Sequence, residues 1–600
     1  MVTFTDVAVT WRVAILGDCA NLDLPSANGC LGSSSTIQLI SDIWSEKQAH
    51  HHGEAALAAL DSFPPASRLP RYDEERVTGP GNYATSVVAI SPETVPNEGS
   101  RQYSFPPQEL ANKLVDAYFE RVHPLFPFLH EGTFRAGYED LWKMKPDQLH
   151  AETSLLAIVN LVFAHGYEFN VDHEGGNFIT QAAPALERSK KIILSQVFRH
   201  ADLNLIQSLL LLCHYLQGTL ELDECWKLAG LLIRNAICLG IHIDPACNGY
   251  TNALDTELRR RAWWGCVVLD RVLSMKLGRS PSINPADASA VNTPLDVDDQ
   301  HIRDTDTIPR QPSGRPSRMS FWIQTCRLSH VINAILSKLY STRSKGLEET
   351  AVQGKHKQAI IMSNIFLLAG QLQQWWDDLP VHLKQEPTSS EDIDFQRQRR
   401  IIRVRYLTIT LLLQRPGFFL LVNQKFNNEL MKAGAIASSN ICISAAVETI
   451  TIIRSHYDRR MLNSLSYNIH CVLTSLAVLA MVQQLERSTR SLLSSIDPTI
   501  VKWGLEFLRS SRNKSALADR YGALMETLAA PFTNLIDTDS LGQELVFNSN
   551  EEHAIQTGES QVQAQIFLDH GLLQSNPQMF ANGSVNDWMG TEPWESLFEI

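Results

Sequence analysis

The ten cysteines, at positions 19, 30, 213, 225, 238, 247, 266, 326, 442 and 471, never stand two residues apart. Compact zinc modules are built from C-x-x-C pairs, so none is expected here; the scatter suits reduced thiols in a cytosolic or nuclear protein. No run of eighteen apolar residues occurs, which argues against a membrane span. Met1–Leu22 lacks a basic start and is interrupted by Asp6, Arg12 and Asp18, so it does not read as a secretory signal. The G-x-S-x-G elbow, the P-loop and H-E-x-x-H are all missing. Residues 79–84, GPGNYA, imitate a dinucleotide fingerprint, but Asp73, Glu74 and Glu75 precede them where an apolar strand is needed. No His, Asp and Cys residues are spaced as a ligand or catalytic set. The expectation is a protein without a catalytic site, a metal or a cofactor.

Positive charge is also short. Against 65 Asp and Glu stand 52 Lys and Arg, a formal net charge of -13. An acidic chain binds nucleic acid poorly by itself, because phosphate contacts need clustered bases. The deficit is concentrated at one end. Residues 537–600 hold eleven acids and no Lys or Arg, and so carry most of the excess.

What is present is helical periodicity. Residues 1–104 are poorly patterned, with Ser33–Ser35, His50–His52 and Pro64–Pro65, and are expected to be disordered. The His run reads as solvated rather than metal-binding. From Pro107 onward, apolar residues recur at helical spacing, beginning with Leu110, Leu114, Ala117 and Tyr118. Candidate helices follow near 153–169, 177–199, 203–217, 223–240, 254–277, 318–345, 356–377, 398–422, 436–457, 461–484, 497–511 and 514–529, with Pro and Gly between them. Strand alternation is nearly absent. The expected fold is all-α: a multi-helix array over 105–530, preceded by the unpatterned segment 1–104 and followed by an acidic tail over 531–600. Residues 296–318, rich in Asp, Arg, Pro and Ser, read as a surface loop.

Four blocks carry a family resemblance. Residues 110–134 read LANKLVDAYFERVHPLFPFLHEGTF. Residues 225–244 run from Cys225-Trp226 to Leu239-Gly240-Ile241-His242-Ile243-Asp244, with Leu232 where a small residue is usual. Residues 257–281 read ELRRRAWWGCVVLDRVLSMKLGRSP, with Ser280 in place of the usual Pro. Tyr406 through Gln414-Arg415-Pro416 form a weaker fourth block. Together they resemble the fungal-specific transcription factor domain, the regulatory body of zinc-cluster transcription factors. The signature residues are Glu257, Arg260, Arg261, Trp263, Trp264, Asp270, Arg271, Gly278 and Arg279, and their role is expected to be structural. Glu257 and Arg261 stand at i and i+4 in the favourable order. Trp263 and Trp264 cannot share a helix face, so at least one must pack between helices. Arg259, Arg260 and Arg261, and likewise Arg397, Arg399, Arg400, Arg403 and Arg405, are expected to pair with acids inside the array rather than bind phosphate. His242 and Asp244 read as a helix-end network, with Gly240 as a helix stop.

The resemblance implies a nuclear transcriptional regulator controlling a metabolic or secondary-metabolite gene set, and a body that can form a homodimer or meet another transcription factor. It also implies a six-cysteine zinc cluster near the N-terminus. Only Cys19 and Cys30 precede the helical body, so no DNA-binding residue is identified. DNA contact is expected only if that module is missing from the gene model; otherwise the chain is a cofactor or inhibitor of another factor, or, remotely, a helical enzyme. The tail ends in DWMGTEPWESLFEI, aromatics interleaved with acids. Trp588, Met589, Trp594, Leu597 and Phe598 are the expected contacts to the transcription machinery or a coactivator; Trp594, Leu597 and Phe598 share a face if a helix follows Pro593.

Overall fold

A computed structural model describes residues 105–539, apart from 145–152, 170–177, 200, 249–251, 304–308, 341–350, 385–391, 423–425, 427 and 458–460, together with Ser35. The His run, the GPGNYA segment and the five tail residues lie outside the described residues. Among the described residues there are sixteen α-helices, four short 3-10 turns and no strand.

The helices are α1 (Gln108–Arg121), α2 (Glu131–Lys143), α3 (Thr153–Phe169), α4 (Phe178–Gln196), α5 (Leu203–Leu216), α6 (Leu222–Cys238), α7 (Ala253–Leu277), α8 (Pro285–Ser289), α9 (Met319–Leu339), α10 (Ala351–Asp377), α11 (Ile393–Val422), α12 (Glu429–His456), α13 (Leu465–Gln484), α14 (Arg487–Arg490), α15 (Pro498–Ser511) and α16 (Ala516–Asp539). Local chemistry sets their ends. Asp202 accepts from Leu205 N at 2.7 Å to start α5, and Asn428 accepts from Met431 N to start α12. Gly240, at φ +78°, follows the end of α6, and Gly278, at φ +67°, ends α7; both occupy the left-handed region that costs glycine little.

Neighbours in sequence pack as neighbours in space. α1 lies on α3, α3 on α4 and α5, α5 on α6 and α7, α7 on α9, and α9 on α10 and α11. α11 then packs on α12, and α12 on α13 and α15. Two large apolar cores result, beside a small cluster of Leu254, Val297 and Ile302. The first gathers α1 to α9 with part of α10; the second gathers α12, α13, α15 and α16. α11 serves both: Ile401, Ile402, Ile409, Leu412 and Leu413 enter the first core, while Val404, Leu407, Leu411, Phe418 and Leu421 enter the second. α12 and α13 are long and apolar enough to cross a bilayer, but 83% of the apolar window of α13 is buried inside the protein, as in a core helix.

Two expectations need correction. Residues 296–318 are not all surface loop: Val297 and Ile302 are buried and Asp299 sits in an internal polar network, while 313–316 are exposed. The Asp-rich composition that suggests solvation instead supplies a partner to a buried cation. Helical structure also continues past residue 531, where the tail was expected to begin, as far as Asp539; Leu528, Phe532 and Leu535 prolong the helical spacing.

Candidate functional site

The signature residues lie on α7 and the turn after it. Asn252 caps α7 by accepting from Asp255 N at 2.9 Å. Ion pairs surround the helix. Arg259 binds Asp255 at 2.8 Å, one turn back. Arg260 grips Asp244 with two hydrogen bonds, at 3.1 and 2.8 Å, and Asp244 also accepts from Asn292 N and Ala246 N. Burial opposes ionisation of Asp244, yet Arg260 and the two amides hold its carboxyl down to about 2.

Arg261 and Glu257 are wholly buried and 2.8 Å apart. The guanidinium also reaches Asp299 at 2.6 Å and the Leu129 carbonyl at 3.4 Å. Glu257 accepts from Leu295 N at 2.9 Å. Asp299 accepts from Glu131 N at 3.0 Å and bonds His123 Nε2 at 3.1 Å. Burial raises the Asp299 pKa, but Arg261 and His123 outweigh it and hold the carboxyl well below its usual range. The network therefore fastens the α1–α2 connection and the 295–299 segment to α7.

Farther along, Asp270 accepts from Ser282 N and Ile283 N, and Arg271 spans Asp270 and the Ile283 carbonyl. Arg279, just past Gly278, binds Asp223 at 2.6 Å and covers the Trp226 ring. Trp263 and Trp264 are both buried, at 0% and 2% exposure. Trp264 donates to the Asn292 carbonyl at 3.0 Å. Elsewhere, Arg403 pairs with Glu448, and Arg397 and Arg399 donate to backbone carbonyls.

Farther along the stripe that carries Arg261, from Gly265 to Lys276, α7 lines a cavity of about 100 Å3, walled also by α5, α9, α11 and residues 463–470. Gly265 permits its close packing: a Cβ there would stand 2.9 Å from Phe128 and 3.0 Å from Leu210. Lys276 and Arg405 face the cavity with His214, Tyr467 and His470. Burial pulls Lys276 down to about 8 and His470 to about 3. Arg405, expected to pair with an acid, instead donates to Thr325 Oγ1; Lys276, His214, Tyr467 and His470 were not singled out by the sequence. The available signal was a cation or imidazole inside a long apolar helix, as His214 in LLLLCHYL and Arg405 in IIRVRYLTITLLL. Among the described residues, no three His, Cys, Asp or Glu side chains gather so as to hold a metal ion.

Comparison with known proteins agrees with the α7 signature. Residues 115–377 match the family described as fungal specific transcription factor domain. The chain carries a fungal specific transcription factor domain. Similar curated proteins include the transcription regulator galc of Aspergillus niger, 25% identical over 52% of this chain and 41% of its own length, and transcription factor FBD3 of Gibberella moniliformis, 27% identical over 59% and 46%. The sorbicillinoid biosynthetic cluster transcription factor 2 of Penicillium rubens is 29% identical over 34% of this chain and 31% of its own length. The chain thus spans less than half the length of these relatives. No solved structure matches it. The matched span of the fungal specific transcription factor domain closes at the end of α10, yet its core is completed by Ile401, Ile402, Ile409, Leu412 and Leu413 of α11.

Proposed function

We propose that the chain is a nuclear transcriptional regulator of fungal type that acts by recruiting other proteins, without catalysis, on a metabolic or secondary-metabolite gene set. The observation that carries this is the fungal specific transcription factor domain, folded as a helical body. The names of the relatives, one of them a biosynthetic-cluster factor, support the class of target. DNA contact is assigned to a zinc-cluster module or to a partner, because Arg259, Arg260 and Arg261 are engaged with acids of this chain. The body offers surfaces for a second copy or another transcription factor. Recruitment of the transcription machinery or a coactivator is assigned to the acidic tail, with Trp588, Met589, Trp594, Leu597 and Phe598 as its contacts. Burying such side chains in a groove contributes roughly 1.5–3 kcal/mol each before ordering costs, enough for weak, reversible binding.

The test fuses the full chain, or residues 537–600, to an unrelated DNA-binding domain above a reporter. Both fusions should raise expression. The triple change Trp594→Ala, Leu597→Ala, Phe598→Ala should remove most of the effect. A silent full-length fusion refutes activation; one that instead silences a reporter driven by another fungal regulator identifies the chain as an inhibitor.

A further inference from the structure

The buried cations of α7 other than Lys276 each meet a carboxylate: Arg260 meets Asp244, Arg261 meets Glu257 and Asp299, and Arg271 meets Asp270. The two cations in the cavity do not. No Asp or Glu lines it. The Lys276 ammonium has only Gln217, at 3.5 Å from the carbonyl and 3.4 Å from Oε1. Arg405 donates to Thr325 Oγ1 and lies over the rings of Phe321 and Phe126, 4.6 and 5.6 Å from their centroids. Both charges act on His214 and on Cys471, so they lie within electrostatic reach of a common centre. Charges taken out of water without a counter-ion are costly, and the other buried cations of α7 avoid that cost by pairing.

The rest of the wall is mostly apolar, built from side chains such as Phe126, Trp322 and Leu328, with polar groups from Ser329, Asn463 and Tyr467 among them. A volume of about 100 Å3 admits roughly seven to ten water-sized groups at 10–15 Å3 each. A second void of about 20 Å3 shares Met275, Thr408 and His470 with it. The cavity also sits at the seam of the two cores: α5, α7 and α9 belong to the first, and Tyr467 packs against the second.

We propose that this cavity is an effector site for a small organic carboxylate, whose acid group neutralises Lys276 and Arg405 while an aromatic or short aliphatic body fills the apolar part. A pocket of this kind, concave and mostly apolar with a few convergent polar groups, is the usual form of a small-molecule site. Occupancy would fasten α7 to the 463–470 segment, and so couple one core to the other.

The experiment is direct binding to the purified full-length chain, which separates its outcome from that of any reporter assay. Titration calorimetry and thermal melting use benzoate, phenylacetate and hexanoate, with benzamide and hexanol as uncharged counterparts and sulfate as a bare anion. At least one carboxylate should bind saturably and raise the melting temperature, while its uncharged counterpart and sulfate should not. Lys276→Met should weaken binding at least tenfold; Lys432→Met, at a surface pair, should leave it unchanged. If circular dichroism shows Lys276→Met unfolded, Val272→Phe, which fills the cavity without removing charge, should abolish binding instead. No binding by any of the three acids, equal binding of benzamide and benzoate, full competition by sulfate, or retained binding in a folded variant would each overturn the proposal.

Discussion

Arg261→Met removes the centre of the largest buried ion network around α7. The variant loses hydrogen bonds to Glu257 at 2.8 Å, Asp299 at 2.6 Å and the Leu129 carbonyl at 3.4 Å. Asp299 keeps Glu131 N and His123. Glu257, with no solvent exposure, keeps only Leu295 N. On a helix surface a Glu–Arg pair at i, i+4 contributes about 0.2–0.5 kcal/mol. Breaking a buried pair by removing one partner costs about 3–5 kcal/mol instead, because a desolvated charge is left behind. That is a large share of the roughly 5–15 kcal/mol that holds a folded domain together. Glu257→Gln in the same chain removes the orphaned charge, so the double variant should recover part of the loss, and the two residues should couple by about 1–3 kcal/mol. Urea titrations at pH 7.5, followed by tryptophan fluorescence and circular dichroism, measure the four species. An Arg261→Met chain within 1 kcal/mol of the parent, or a double variant whose loss equals the sum of the singles, would sink the reasoning.

Trp263→Ala, which empties a fully buried site, should cost about 3–5 kcal/mol in the same titration and lower cellular abundance; unchanged stability with lost activity would instead make Trp263 part of a working surface. Glu168 accepts from Leu465 N at the start of α13, and burial pushes its carboxyl up to about 7 despite that bond and the charge of Arg397. Its folded pKa lies above the unfolded value near 4.5, so its contribution is complete below pH 4.5 and is lost as pH rises through 7. Relative to Glu168→Gln, the parent should therefore lose about 2–3 kcal/mol between pH 5 and pH 8, at about 1.4 kcal/mol per unit; a constant difference across that range would refute the assignment.

Helix positions were legible in the sequence because they rest on local rules. The span 153–169 was read to the residue, and 203–217 and 254–277 to within one residue of α5 and α7, since apolar spacing, Asp and Asn caps and Gly stops act over a few residues. The fold class followed from the same periodicity. The polar network was not legible. His123 and Asp299 are 176 positions apart, and the segment around Asp299 has the composition of an exposed loop. Its burial is decided by Arg261, whose charge has to be met wherever the chain can bring an acid.

The same step explains why α7 looks uniform in sequence and is not. Arg259, Arg260 and Arg261 form the run that suggests a phosphate-binding patch, and all three are occupied by acids from the α6–α7 connection, α7 itself and the 295–299 segment. Lys276, four turns on, reads as an ordinary cation favoured at a helix C-terminus. It faces Phe126, His214 and Arg405, brought from the α1–α2 connection, α5 and α11, and none of these elements supplies a carboxylate to the cavity. Whether a helical cation is structural or available to a ligand is therefore fixed by its distant partners. On α7 the conspicuous charges are internally paired and the inconspicuous one is not.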